Sequence, residues 1–81
     1  MRVRVRLFAA LREAAGRNEV DMDLHDGATP EDAWRDLAEA VPGLGGKRTS
    51  LTASVNRRYA AFSTPLRDGD EVVFIPPVSG G

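Results

Sequence analysis

The stretch 71-EVVFIPPVSGG-81 decides how the rest of the chain is read. In an extended segment, Val72 and Phe74 point to one side and Val73 and Ile75 to the other. A strand that is apolar on both faces belongs in the middle of a sheet. Pro76 and Pro77 lack the amide hydrogen that a ladder needs, so pairing should end there. The sequence then finishes in Val78, Ser79, Gly80 and Gly81. Glycine loses the most freedom on ordering, so Gly80 and Gly81 add almost nothing to a core. The stretch therefore reads as the last strand of a domain over residues 1–75. A tail over 76–81 follows, stiffened by its prolines and held off the sheet.

A central strand needs neighbours. The segment 2-RVRVRLF-8 alternates strictly, with Val3, Val5 and Leu7 on one face and Arg2, Arg4, Arg6 and Phe8 on the other. It is expected to lie beside the last strand. The run 9-AALREAAG-16 favours a short helix closed by Gly16. Val20, Met22 and Leu24 alternate with acidic residues in a second strand. Thr29 then offers a cap, Pro30 suits the first helical position, and Glu31 and Asp32 place negative charge in the first turn. Ala33, Trp34, Leu37, Ala38 and Val41 form one apolar stripe, which Pro42 and Gly43 end. The run 43-GLGGKRTS-50 reads as a loose connection. In 51-LTASVN-56, Leu51, Ala53 and Val55 point inward; 57-RRYAAF-62 turns into a short edge strand, and Asp68-Gly69 marks a reversal.

The order β-α-β-α-β-β-β predicts an α+β fold, a mixed five-stranded sheet with its helices on one face. If Val72 and Phe74 face the longer helix, Val73 and Ile75 lie beside Arg4, Arg6 and Phe8. That leaves an open sheet face of mixed basic and apolar character, and exposed apolar groups rimmed by charge mark interfaces.

Composition narrows the chemistry. There is no cysteine, which excludes disulfides, cysteine-ligated zinc and a cysteine nucleophile. The single histidine, His25, stands in a turn without a second ligand. A net charge of −1 gives no global field toward nucleic acid or an anionic membrane. No apolar run approaches the ~20 residues of a membrane span, and the N-terminus has no signal-peptide core, so a cytoplasmic protein is expected. The arginine row alone reads as a solvated strand face. The "GLGG" loop lacks the Gly-Lys-Ser/Thr ending of a phosphate loop, and Asp68 and Asp70 around one glycine read as a turn rather than a calcium site.

No nucleophile, base and orienting group come together, so the chain is not an enzyme by itself. The group with unusual access is the carboxylate of Gly81. Without Cβ atoms, Gly80-Gly81 can thread a channel that any side chain would block. Transfer of AMP from ATP would turn the poor electrophile into a mixed anhydride. Sulfur could then displace AMP and leave an acyl–SH group.

The blocks "LFAALREAAG", "AVPGL" and above all "PLRDGDEVVFIPPVSGG" resemble the MoaD family of molybdopterin synthase small subunits, ubiquitin-like β-grasp sulfur carriers. The resemblance implies a β-grasp domain with no bound cofactor. It implies an E1-like activating enzyme (MoeB-like) that adenylates Gly81 with ATP, and a sulfurtransferase route to a C-terminal thiocarboxylate. It also implies a large synthase subunit (MoaE-like) in a heterotetramer, where sulfur passes to cyclic pyranopterin monophosphate. Carried over by position, the partner surface falls on Phe8, Tyr59 and Ile75, joined by Pro76, Pro77, Val78 and Ser79 of the tail. Three other outcomes use the same features: a carrier for thiamine or transfer-RNA thiolation, a protein modifier joined to lysines, and a binding module whose tail has no covalent role.

Overall fold

The computed structural model describes residues 1–77. Its elements are β1 (Arg2–Leu7), α1 (Ala9–Ala15), β2 (Glu19–Asp23), α2 (Pro30–Ala40), β3 (Thr52–Val55), β4 (Arg58–Ala60) and β5 (Glu71–Ile75). They form a five-stranded sheet in the order β2-β1-β5-β3-β4. The apolar-on-both-sides strand is the central one, as expected. β5 runs parallel to β1, with Val5 opposite Val72 and Leu7 opposite Phe74, and antiparallel to β3, with Ala53 opposite Phe74.

The inward row of each central strand meets the helices. Val5, Leu7, Val72 and Phe74 are fully buried. The Phe74 ring takes the edge-to-face contact of Trp34 at 5.2 Å and stacks on Phe62 at 5.9 Å. Such aromatic pairs add roughly 0.5–1.5 kcal/mol beyond the area they bury. From α2, Ala33, Trp34 and Leu37 are buried, and Ala38 and Val41 pack on the core from the edge of the stripe. From α1, Leu11 is buried, and Gly16 closes the helix at φ +74°, where glycine pays no steric cost.

The start of α2 is a complete capping box. Thr29 Oγ1 accepts from the Asp32 amide at 3.3 Å, and the Asp32 carboxylate accepts from the Thr29 amide at 3.0 Å. The Thr29 bonds, with Arg35 at 2.7 Å, hold the Asp32 carboxyl below the usual carboxylate range. A depressed folded-state value stabilises the fold above the unfolded-state value of about 3.9, and this contribution disappears as pH falls through the folded value. Thr29→Ala is expected to cost about 1 kcal/mol at neutral pH, read by denaturant unfolding. An Asp32→Asn variant should be destabilised at neutral pH and converge on the parent in acid.

One segment differs from the sequence reading. Residues 43–50 are not a loose connection. They carry short 3₁₀ turns at Pro42–Leu44 and Arg48–Ser50, and Leu44 is fully buried in the core. The first of these turns packs against both α1 and α2. The second is clamped, because Arg48 donates to both Glu31 carboxylate oxygens and lies 3.4 Å above the Phe62 ring centroid. A bidentate arginine stacked on an aromatic ring ties this loop to the start of α2.

Candidate functional site

The face of the sheet away from the helices follows from the strand registers. Across one row stand Glu19, Arg6, Val73, Ser54 and Tyr59, and Thr52 and Ile75 lie in the next. The β2 end of this face corrects the expectation of basic character. Arg2 pairs with Asp23 at 3.2 Å, Arg4 with Asp21 at 3.3 Å, and Arg6 with both Glu19 and Glu71 at 3.7 Å. Hydrogen bonding and charge raise Arg2 and Arg4 above their ordinary range and lower Asp23. The pairs are exposed and contribute little to stability. They do cancel the arginine row, so this end of the sheet is a neutral ladder rather than an anion site.

The apolar end lies at the exit of β5. β1 stops at Leu7, one residue short of the expected strand, and Phe8 is the extended N-cap of α1. Ala9 follows at φ +51°, a left-handed conformation that costs a non-glycine residue about 1 kcal/mol or more. That bend turns the chain sharply into α1 and leaves the Phe8 ring 44% exposed beside the Arg6 guanidinium, 5.7 Å away. Phe8, Ala9, Ala10, Glu13, Ile75, Pro76 and Pro77 line one open cleft of about 580 Å³. The structure therefore brings together four of the expected partner residues: Phe8, Ile75, Pro76 and Pro77. Tyr59, 80% exposed, shares the face but stands two strands away on β4 and does not line that cleft.

The base of the expected tail rests between two parts of the domain. Pro76 is half-buried and Pro77 exposed. Besides the cleft shared with Phe8, they border a smaller one of about 240 Å³ with Ala10, Leu11, Lys47, Ser50 and Leu51. The residues expected to carry the chemistry, Gly80 and Gly81, and the expected contacts Val78 and Ser79, lie outside the described residues. Among the described residues no group of acidic or histidine side chains could hold a metal ion, and no helix is long and apolar enough to cross a membrane. Sequence reasoning missed Arg48 and Phe62, which fix the loop behind the smaller cleft. The only signal was an aromatic residue after an edge strand, and that signal has no period.

Compared with known proteins, the chain matches the ThiS family over residues 5–81. It belongs to the ThiS family. This ThiS-family chain is 40% identical over 83 residues to the molybdopterin synthase sulfur carrier subunit of Chlamydomonas reinhardtii, with 100% of both chains covered. Its structure matches SAMP1 of Haloferax volcanii with a TM-score of 0.90 at 32% identity, again covering 100% of each chain. It also matches a chain in the complex of subunits 1 and 2 of molybdopterin-converting factor from Helicobacter pylori, with a TM-score of 0.70 at 26% identity and 100% of each chain covered. The architecture is the ubiquitin-like β-grasp, which confirms the fold expected from the sequence.

Proposed function

We propose that this ThiS-family chain is the sulfur carrier subunit of a molybdopterin synthase. The observation that carries the reading is a full-length match at 40% identity to a protein of that name. The proposed chemistry is that of a main-chain acid. An E1-like activating enzyme transfers AMP from ATP to the Gly81 carboxylate, and pyrophosphate leaves. A sulfurtransferase persulfide attacks the acyl carbon, so that a C–S bond forms while the C–O bond to AMP breaks and AMP leaves; a thiol then reduces the S–S bond of the acyl disulfide and is itself oxidised to a disulfide. The resulting thiocarboxylate donates its sulfur to cyclic pyranopterin monophosphate on the large subunit. The chain holds no cofactor of its own in this scheme, and ATP serves the activating enzyme.

The cleft of Phe8, Ile75, Pro76 and Pro77 supports a docking role, because it places apolar surface directly at the root of the tail. A partner that buries this cleft draws the tail toward its own active site in the same step. The complex of the two converting-factor subunits from Helicobacter pylori supports a large-subunit partner. A second reading is favoured by the match to SAMP1, a small archaeal modifier protein. In that reading the same activated terminus is passed to lysines of other proteins. Sites in the cytoplasm and independence from nucleic acid and membrane belong to the proposal as well.

The test is reconstitution with an activating enzyme, ATP, a sulfur source, the large subunit and the pterin precursor. Dithiolene formation is expected, and its absence in the presence of verified thiocarboxylate would refute the synthase assignment. In the same system, Ile75→Asp is expected to weaken large-subunit binding by about tenfold or more, because a charge would enter the apolar cleft. Unchanged affinity would remove the cleft from the interface.

A further inference from the structure

A sheet leaves unpaired backbone groups along each edge strand, and here the two edges differ. The hydrogen bonds that bracket β1 and β2 fix which groups face outward. Met1 and Leu24 exchange two bonds of 2.8 Å, and the Leu7 amide donates to the Asn18 carbonyl at 2.9 Å. In an antiparallel ladder such pairs alternate with pairs that exchange none. Val3–Met22 and Val5–Val20 are therefore the bonded pairs, and the amides and carbonyls of Glu19, Asp21 and Asp23 point away from β1. The Arg4 amide agrees, since it donates to the Asp70 carbonyl on the β5 side. Among the described residues, no other strand pairs with that side of β2. On the opposite edge, β4 is only three residues long, and its register leaves Tyr59 alone facing outward.

The side chains of β2 state what pairs with that edge. Glu19, Asp21 and Asp23 form a row on the open face, and Val20 and Met22 pack against the core on the helix side. The arginine partners of the acids lie inward on β1, so the carboxylates stand outermost, with side chains 45%, 52% and 76% exposed. This row opposes self-pairing. A second copy joined antiparallel about Asp21 sets Asp21 opposite Asp21 and Glu19 opposite Asp23, and like charges directly opposite destabilise a ladder. The strand on the inner side, 2-RVRVRL-7, shows the complementary pattern, with basic residues opposite the acids and valines opposite Val20 and Met22. We propose that the outer edge of β2 docks an extended segment of a partner protein in which basic and apolar residues alternate, added antiparallel as a sixth strand. Main-chain bonds to Glu19, Asp21 and Asp23 supply the affinity, and the alternation sets the register. β1 separates this edge from β5, and no β2 residue lines the cleft of Phe8, Ile75, Pro76 and Pro77. A partner on β2 therefore leaves that cleft free, and its docking does not depend on the sulfur-carrier reading.

The probe is a capped synthetic peptide with the sequence of residues 2–7, Arg-Val-Arg-Val-Arg-Leu, titrated into the full-length isotope-labelled chain at low ionic strength. Nuclear magnetic resonance is expected to show saturable shifts along β2 and slowed hydrogen exchange at the amides of Glu19, Asp21 and Asp23. The same peptide N-methylated at its arginines keeps its charge but loses the amides that face β2, and it should not bind. Asp21→Lys, checked for folding by circular dichroism, should weaken binding about tenfold, as an attractive cross-strand pair becomes a repulsive one. Equal binding by the methylated peptide would reduce the contact to charge and overturn strand addition. Shifts centred on Tyr59, or on Phe8 and Ile75, would overturn it by placing the peptide elsewhere, and so would the absence of any shift. A dimer formed through β2 without peptide, read by analytical ultracentrifugation, would assign the edge to a second copy and overturn it as well.

Discussion

Phe74→Ala is expected to lose about 3–5 kcal/mol of stability and to lower the melting temperature by roughly 20 °C. Phe74 is fully buried in the central strand and touches the rings of both Trp34 and Phe62. β5 is paired on both sides, so the strand itself cannot shift to close the space. A domain of this size has about 5–15 kcal/mol in total, so the variant should lose a large share of its stability. Calorimetry or a circular dichroism melt reads the effect. A shift of only a few degrees would mean that the two-ring contact is not the centre of the core.

Removal of Gly81 is expected to produce the opposite pattern: sulfur transfer abolished, with stability changed by no more than about 0.5 kcal/mol. Glycine has no side chain to withdraw from a core. The loss of function comes from reach. Ending the chain at Gly80 shortens an extended tail by about 3.4 Å. Misplacing a reacting atom by even 1 Å can cost about a hundredfold in rate. The variant should still bind the large subunit through the cleft of Phe8, Ile75, Pro76 and Pro77. Competition between full-length and shortened chains for that subunit measures this directly. A shortened chain that still transfers sulfur would show that Gly81 itself, and the reach it adds, is not required.

The fold was legible where periodicity and chain punctuation act locally. Val72 to Ile75 announced a central strand because both faces are apolar. Thr29, Pro30, Glu31 and Asp32 announced a helix start because each suits its position along the dipole and the unsatisfied amides. Features that depend on distant partners were not legible. Leu44 sits between glycines with no repeat around it, yet it fills space between two helices. Arg48, Glu31 and Phe62 meet only after the sheet and α2 are assembled. The arginine row was visible as a pattern, but its neutralisation depends on the β1–β2 register that sets Arg2 opposite Asp23 and Arg4 opposite Asp21. For the candidate site, Phe8 and Ile75 followed from strand alternation. Their joining with Pro76 and Pro77 in one cleft required the left-handed turn at Ala9, which no residue type at that position signals. Tyr59 rested on resemblance, and the structure sets it on the same face at a distance from the cleft.

The central claim is that the carboxyl of Gly81 carries sulfur. Intact-mass measurement of the chain after incubation with an activating enzyme, ATP and a sulfur source tests it most directly. The account predicts a species in which one oxygen is replaced by sulfur, localised by fragmentation to Gly81. A terminus that remains an unaltered carboxylate, although AMP is released at the expected rate, would contradict it.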